Sequence, residues 1–334
     1  MKSVWTMGEM IVEIMRPRAE MPHGKTDVYM GPYASGAPAI MISSAARMGA
    51  KSGIIGGVGA DAHGQMIVDR LEGCGVDCSK VLRSTDKSTG NAFVMYHDAG
   101  SREFIFHIGG TAATAFGVPD LADVEDPGYF HLMGCSLTAD KDYCARILET
   151  AEVFRAKGAK FSFDPNIRPE LLKDGDFKSS IGPFLKNCSV LLPGVSELKM
   201  IAGKDTVEEA VEALFENEVL EVIALKIGSK GCKVYTRDAV QVIPACKVEE
   251  KDATGAGDCF DGAFIAALLE GYDVFTAARW GNAAGALNAA AFGPLEGDIS
   301  PETVAQMLQV NQMYVTRPLG DRGALMRMEQ KNNC

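Results

Sequence analysis

The stretch Asp252-Ala253-Thr254-Gly255-Ala256-Gly257-Asp258 sets a carboxylate on each side of a turn built from small residues. Behind it Phe260, Ala263, Phe264, Ala267 and Leu268 recur at i, i+3, i+4, i+7 and i+8, which predicts a helix opening at the turn and packed on the core. Free N–H groups of Gly255, Ala256 and Gly257 would then converge at the positive end of that helix, a preformed hole for an oxyanion. Asp258, in the first helical turn, cannot bind a phosphate, but it can take a proton from a hydroxyl that attacks one. The helix terminus is expected to hold its pKa low, and a weak base suits phosphoryl transfer, where bonding to the nucleophile is late. Spacing alone leaves a second reading open, Asp258 as a helix cap.

Elements must hold this loop in place. Short apolar runs such as "SGIIGGVG", "YFHLMG", "KFSFD", "SVLLP" and "VIALKIG" alternate with segments of helical period, among them "APAIMISSAARMGA", "HGQMIVDRLEGCG" and "DYCARILETAEVFRAKG". The alternation, opened by "VWTMGEMIVEI", predicts an α/β fold: a doubly wound, mostly parallel sheet flanked by helices. "TGNAFVMYHDAGSREFIFHIG" breaks the pattern and reads as two antiparallel strands around Asp98-Ala99-Gly100, a flap added to the main body. After about residue 255 the pattern becomes helical, and from Thr316 the periodicity is lost. One domain over 1–315 is expected, with lid strands inserted at about 14–34 and 88–110, followed by a tail over 316–334.

The 334 residues are 47% hydrophobic and 23% charged, ordinary for a globular protein. A net charge of −11 argues against a nucleic-acid surface, which needs an excess of Lys and Arg. No apolar run is long enough for a bilayer and the start shows no secretory pattern, so no membrane partner and a cytoplasmic location are expected. Nine scattered cysteines without C-x-x-C read as reduced structural thiols. Several motifs fail: "GKT" at Gly24–Thr26 has Ala19 where a Walker loop opens with Gly, and H-E-x-x-H and G-x-S-x-G are both missing.

"DATGAGDCFDGAF" resembles the second signature of the ribokinase-like (PfkB) sugar kinases, and "GGVGADAHG", Gly56 to Gly64, resembles their early glycine-rich element. The likeness runs to about residue 310. It implies ATP and Mg²⁺ as cofactors, Asp258 as catalytic base, and Gly255, Ala256 and Gly257 as the anion hole for the transferring phosphoryl. Asp252 matches a position that helps hold a monovalent cation, K⁺, with a purely structural aspartate as the other reading. "LKIGSKG" resembles the turn beside the ATP phosphates and ribose, which brings Lys226, Gly228, Ser229 and Gly231 to the nucleotide, together with Thr254. Glu197 matches the acidic end of N-x-x-E, linked to the Mg·phosphate network, although the Asn is Gly194 here; a surface-helix glutamate is the alternative.

For the sugar, the resemblance implies Glu13 of "GEMIVEI", Gly36 and Ile40 of "SGAPAI", and Asp164, Asn166 and Arg168 of "DPNIRPEL". Ile40 stands in place of an asparagine and cannot bond a hydroxyl. Arg168 can fork onto a carboxylate, a phosphate or hydroxyls, or serve in a structural salt bridge. "REFIFHIG" is similar to the R-x-F-x-F of fructokinase-like proteins and puts His107 at the sugar or among packed residues. "GPYASGAPAI" looks like a subgroup acting on ketohexoses such as tagatose or fructose. 2-Keto-3-deoxygluconate is the competing acceptor, with Arg168 on its carboxylate, but Ala92, Ile105 and His107 lack the Tyr and Arg associated with that acid. A nucleoside, stacked on Phe93, Tyr96, Phe104 or Phe106, and a non-catalytic metabolite binder are further alternatives. In this family lid strands often pair, so a homodimer is expected.

Overall fold

The computed structural model describes residues 2–98, 100–172 and 177–311, so the tail expected from residue 316 lies outside the described residues. Thirteen strands are described: β1 Ser3–Met7, β2 Ile11–Met15, β3 Met30–Ser35, β4 Lys51–Gly59, β5 Val76–Ser84, β6 Gly90–Tyr96, β7 Arg102–His107, β8 Pro127–Met133, β9 Lys160–Asp164, β10 Cys188–Leu191, β11 Val222–Lys226, β12 Cys232–Thr236 and β13 Val240–Ile243. Nine of them form one sheet in the order β13-β12-β11-β10-β9-β8-β1-β4-β5. Neighbours from β11 through β5 are parallel, and β12 and β13 close the edge antiparallel. The α/β fold read from the alternation is therefore the one the chain adopts.

Both faces of this sheet are covered, which is why its central strands read as apolar runs without alternation. On one face the helices Ala37–Arg47, Ala256–Leu269 and Val274–Ala289 pack into a core with Ile40, Phe260, Phe264 and Trp280. The other core is aromatic: Phe130 stacks on Phe154 and Phe161 on Phe184, each pair with centroids 4.4 Å apart. A side chain at Gly262 would meet the Met41 carbonyl oxygen at 2.2 Å, so the helix carrying Asp258 lies directly on the backbone of its neighbour. That close packing fixes where the loop at its N-terminus points.

Strand order runs from β1 outward to β4 and β5, then returns to the other side of β1 through β8. Ligands of open α/β sheets bind at such a reversal, beyond the carboxyl ends of the strands. Here those ends are Met7 and Met133, followed by Gly8-Glu9 and Gly134-Cys135.

The opening run "VWTMGEMIVEI" does not remain in one sheet. It breaks at Gly8-Glu9-Met10 into β1 of the large sheet and β2 of a second, four-stranded sheet ordered β3-β2-β6-β7. Both halves are buried, so hydropathy carries no mark of the crossing. The hairpin expected around Gly100 is β6 and β7, antiparallel with Tyr96 opposite Arg102, although Ala99 of its turn lies outside the described residues. This small sheet is the lid. Among the described residues no helix is long and apolar enough to cross a membrane.

Candidate active site

Gly255 caps the helix Ala256–Leu269 with φ 75°, and a Cβ there would lie 2.4 Å from the carbonyl oxygen of Pro294. Only glycine accepts both constraints. The loop is braced from the next helix, where Asn288 Nδ2 donates to the carbonyls of Thr254 at 2.8 Å and Pro294 at 3.2 Å. Replacing Gly255 by Ala is expected to cost about 1–3 kcal/mol of stability from the backbone strain alone. A thermal melt of the variant checks this.

Asp252 is 3% exposed and lines neither of the two cavities described below. Its Oδ1 accepts from the Thr254 N–H and hydroxyl at 2.9 and 2.7 Å; its Oδ2 accepts from Gly293 N–H at 3.0 Å and from Tyr96 Oη at 3.2 Å. Four donors fill this carboxylate. The set fits the structural reading of Asp252, a residue that folds the loop.

Asp258 is buried at the start of the helix and accepts from Asn166 Nδ2 at 3.0 Å. The low pKa expected from the helix terminus is not found: burial, with the nearby Asp164 charge, pushes the carboxyl up to about 6. Removal from water outweighs the helix end, whose field is felt only as a fraction of a charge.

Two cavities meet at this loop. The first, about 300 Å³, runs under the lid, and the second, about 620 Å³, lies between the turn 228–231, the segment 244–250 and the helix Val274–Ala289. Lys226, Gly228, Ala253 and Gly257 line both. Asp258, Gly255 and Thr254 open on the first, with Glu13, Gly36, Ile40, Asn166 and Arg168, while Ala256, Ser229 and Gly231 open on the second. Of the residues assigned to the nucleotide, Ser229 and Gly231 lie on the second cavity alone and Lys226 and Gly228 at the seam, whereas Thr254 and Glu197 open only on the first, with the residues assigned to the sugar other than His107.

Asp164 and Glu197 also line the first cavity, but their bonds differ from expectation. Asp164 is paired with Lys226, Oδ2 to Nζ 2.7 Å, and accepts from the Asn166 N–H. Glu197 accepts from the N–H of Ile167 at 2.8 Å and of Gly194 at 2.7 Å, which closes the first turn of the helix Val195–Ala202. Gly194 supplies only backbone here. Arg168 pairs with no carboxylate among the described residues, so the salt-bridge reading is not observed; its guanidinium lies 5.9 Å from the centre of the Phe104 ring.

His107 is the clear miss. Along β7 exposure alternates, with Arg102, Phe104 and Phe106 on the cavity side and Glu103, Ile105 and His107 on the outer face. His107 packs edge-on against Phe93, also away from the cavity. The period of a strand, counted from Arg102, would have placed it there. It also removes Ile105 and His107 as evidence against an acidic substrate, and Phe93 as a stacking platform.

Two site residues were not singled out in the sequence. Arg102 reaches from the lid to Thr254 Oγ1 at 3.1 Å and lines the first cavity. Glu9 lies at the reversal of strand order, where Ser136 Oγ and Cys135 Sγ donate to its carboxyl at 2.5 and 3.1 Å. Burial raises its pKa, and burial likewise pushes Glu13 up to about 7. Its signal was the acidic residue next to Gly8, hidden inside an apparent continuous strand.

The profile of the pfkB family carbohydrate kinases matches residues 1–300. Fructokinase-1 of Zea mays is 27% identical over 317 residues, 92% of this chain and 97% of that protein. The 2-dehydro-3-deoxygluconokinase of Bacillus subtilis (strain 168) is 29% identical over 300 residues, 86% of this chain and 90% of that protein. A candidate ribokinase II from E. coli, crystallised with ATP and Mg²⁺, superposes with a TM-score of 0.86 at 34% identity, covering 93% of this chain and 100% of its own. A profile match over most of the chain, on a sheet whose paired cavities meet at a glycine-rich helix terminus, makes this protein a member of the pfkB family and an ATP-dependent carbohydrate kinase.

Proposed function

We propose that the γ-phosphoryl of Mg·ATP passes through the anion hole at Gly255–Gly257 to a primary hydroxyl of a ketohexose, fructose or tagatose, with Asp258 taking the proton. The observation that carries this is the seam between the cavities: Gly257 and Lys226 line both, and Asp258 faces the sugar side. Electrostatic stabilisation by the loop N–H groups supplies most of the rate.

A neutral polyol suits the polar lining of the first cavity. Glu9 and Glu13 accept from hydroxyls and Arg102 and Arg168 donate to them; with Asp164, Glu197 and Asp258 against Lys226 the lining holds five acidic and three basic side chains, which does not favour an anion. Glu13 Oε2 and Asn166 Oδ1 are buried without a hydrogen-bond partner among the described residues, two acceptors that sugar hydroxyls would satisfy. Asp164 and Glu197 give oxygen donors beside Lys226, a set that fits Mg²⁺ arriving with ATP phosphates and bound partly through water. The ion would neutralise phosphate charge. The unpaired Arg168 favours 2-keto-3-deoxygluconate as a second reading.

ATP consumption by the wild-type protein with fructose, tagatose, 2-keto-3-deoxygluconate and a nucleoside set, in Mg²⁺, separates these. A ketohexose is expected to give the highest kcat/KM. A keto acid better by ten times or more, together with a loss of roughly 100-fold on that acid in Arg168→Gln, would move the assignment to the acid.

The outer lid face carries Phe93 and Ile105, the latter 41% exposed, and supports the reading that two lids pair in a homodimer. Ile105→Lys is expected to halve the mass seen in sedimentation. An unchanged mass would remove the lid from the interface.

A further inference from the structure

Asp261 lies three residues after Asp258, one turn further along the helix Ala256–Leu269, and is wholly buried. It lines neither cavity. Burial pushes its carboxyl well above the usual range, and what opposes that is Lys226, whose Nζ lies 3.0 and 3.1 Å from the two carboxyl oxygens. Asp164 takes the ammonium from another side at 2.7 Å. Asp164, Asp258 and Asp261 bring an oxygen each within 4.8 Å of one another, so Lys226 supplies the positive charge that this crowding requires.

An ammonium has three hydrogens, and three carboxylate oxygens lie within bonding distance of them, one of Asp164 and both of Asp261. Lys226 also lines both cavities, and an atom added at Gly257 would stand 3.7 Å from Nζ, so a phosphoryl at the seam can draw one hydrogen from the two-oxygen fork of Asp261 while the other oxygen keeps its bond. In a kinase the group that travels from the nucleotide cavity to the acceptor cavity is the transferred phosphoryl. A cation fixed at the seam is therefore placed for that group and not for the phosphates that stay behind. Lysine is a point charge on a flexible stem, and by itself it would not hold such a position. Burial draws the ammonium towards losing its proton, and Asp164 and Asp261 more than reverse this, so the charge persists.

Resting on the kinase reading above, we propose that Asp261 is a positioning residue: it holds the Lys226 ammonium at the seam of the two cavities, where it can turn one N–H to the γ-phosphoryl. Asp164 faces the cavity and can meet ligands directly, whereas Asp261 can act only through Lys226.

The test compares D261N with wild type in titration calorimetry, in Mg²⁺, using ADP and the non-hydrolysable triphosphate AMP-PNP. Loss of one charge-assisted bond to the γ-phosphoryl is expected to weaken AMP-PNP on the order of 10-fold to 100-fold while ADP changes less than about twofold. kcat should fall over the same range with the sugar KM nearly constant. A merely structural Asp261 would lower the melting temperature and weaken both nucleotides alike, and equal factors for ADP and AMP-PNP, or none for either, overturn the proposal. If D261N does not fold, D261S, which leaves room for a water, is read in the same way. Should wild type phosphorylate no sugar, the kinase reading fails by that result, and the ratio of AMP-PNP to ADP affinity still decides the role of Asp261.

Discussion

Asp258→Asn lowers kcat by at least ~100-fold, the scale of general-base contributions, and leaves sugar and ATP affinity within a few-fold of wild type. The amide keeps the volume of the carboxyl and can still accept from Asn166 Nδ2, but it cannot take a proton. The same substitution stabilises the fold at pH 8. Below about pH 4 the carboxyl is neutral in folded and unfolded chains alike; between about 4 and 6 the folded chain holds the extra proton; above 6 both are ionised and the folded chain bears the cost of a buried charge. Stability from this group thus falls as pH rises through that window, by about 3 kcal/mol for a shift from 3.8 to about 6. Melts of the two proteins at pH 8 read this gain, and steady-state kinetics read the loss. Near-normal turnover would remove Asp258 as the base.

Lys226→Met is the most damaging change to the fold among those considered. Asp164 and Asp261, 4% and 0% exposed in their side chains, lose the ammonium between them. Removing one partner of a buried pair costs about 3–5 kcal/mol, and here two carboxylates are left uncompensated. Protonation relieves them, so the loss in melting temperature should be larger at pH 8 than at pH 5. Turnover falls roughly 100-fold to 1,000-fold, as when a donor to developing charge is removed elsewhere. A melting temperature close to that of wild type at both pH values would show that Lys226 is not what stabilises these aspartates.

Much of this site was legible because its chemistry is local in sequence. The loop from Asp252 to Asp258 and the apolar stripe after it are contiguous, so spacing alone gave a helix terminus with an anion hole. "KFSFD" followed by Asn166 and Arg168 read as a strand end, and β9 ends at Asp164 with both residues at the cavity. What spacing could not give is burial and long-range pairing. The pKa of Asp258 differs from expectation because the helix terminus is visible in sequence while its burial and the neighbouring Asp164 are not. Glu9 was passed over because a chain that leaves one sheet for another without exposing itself keeps a continuous apolar signal. Asp261 carries no mark in the sequence, because its partner Lys226 lies 35 residues away. His107 failed for a simpler reason: the motif was matched along the chain without counting which face each residue takes.

The pH dependence of kcat/KM tests the central claim, a buried Asp258 that must be ionised to accept the proton. This ratio reports groups of the free enzyme. Glu13, pushed up to about 7, also ionises in this range, and burial raises Glu9 and Glu197 in the same cavity, so the profile is measured in Glu13→Gln and again with Asp258→Asn added, where the limb must vanish. The account predicts a single-proton acid limb with an apparent pKa of about 6, rate falling tenfold per pH unit below it, and a plateau from pH 7 to 8. A profile in Glu13→Gln that stays flat down to pH 5 would contradict it.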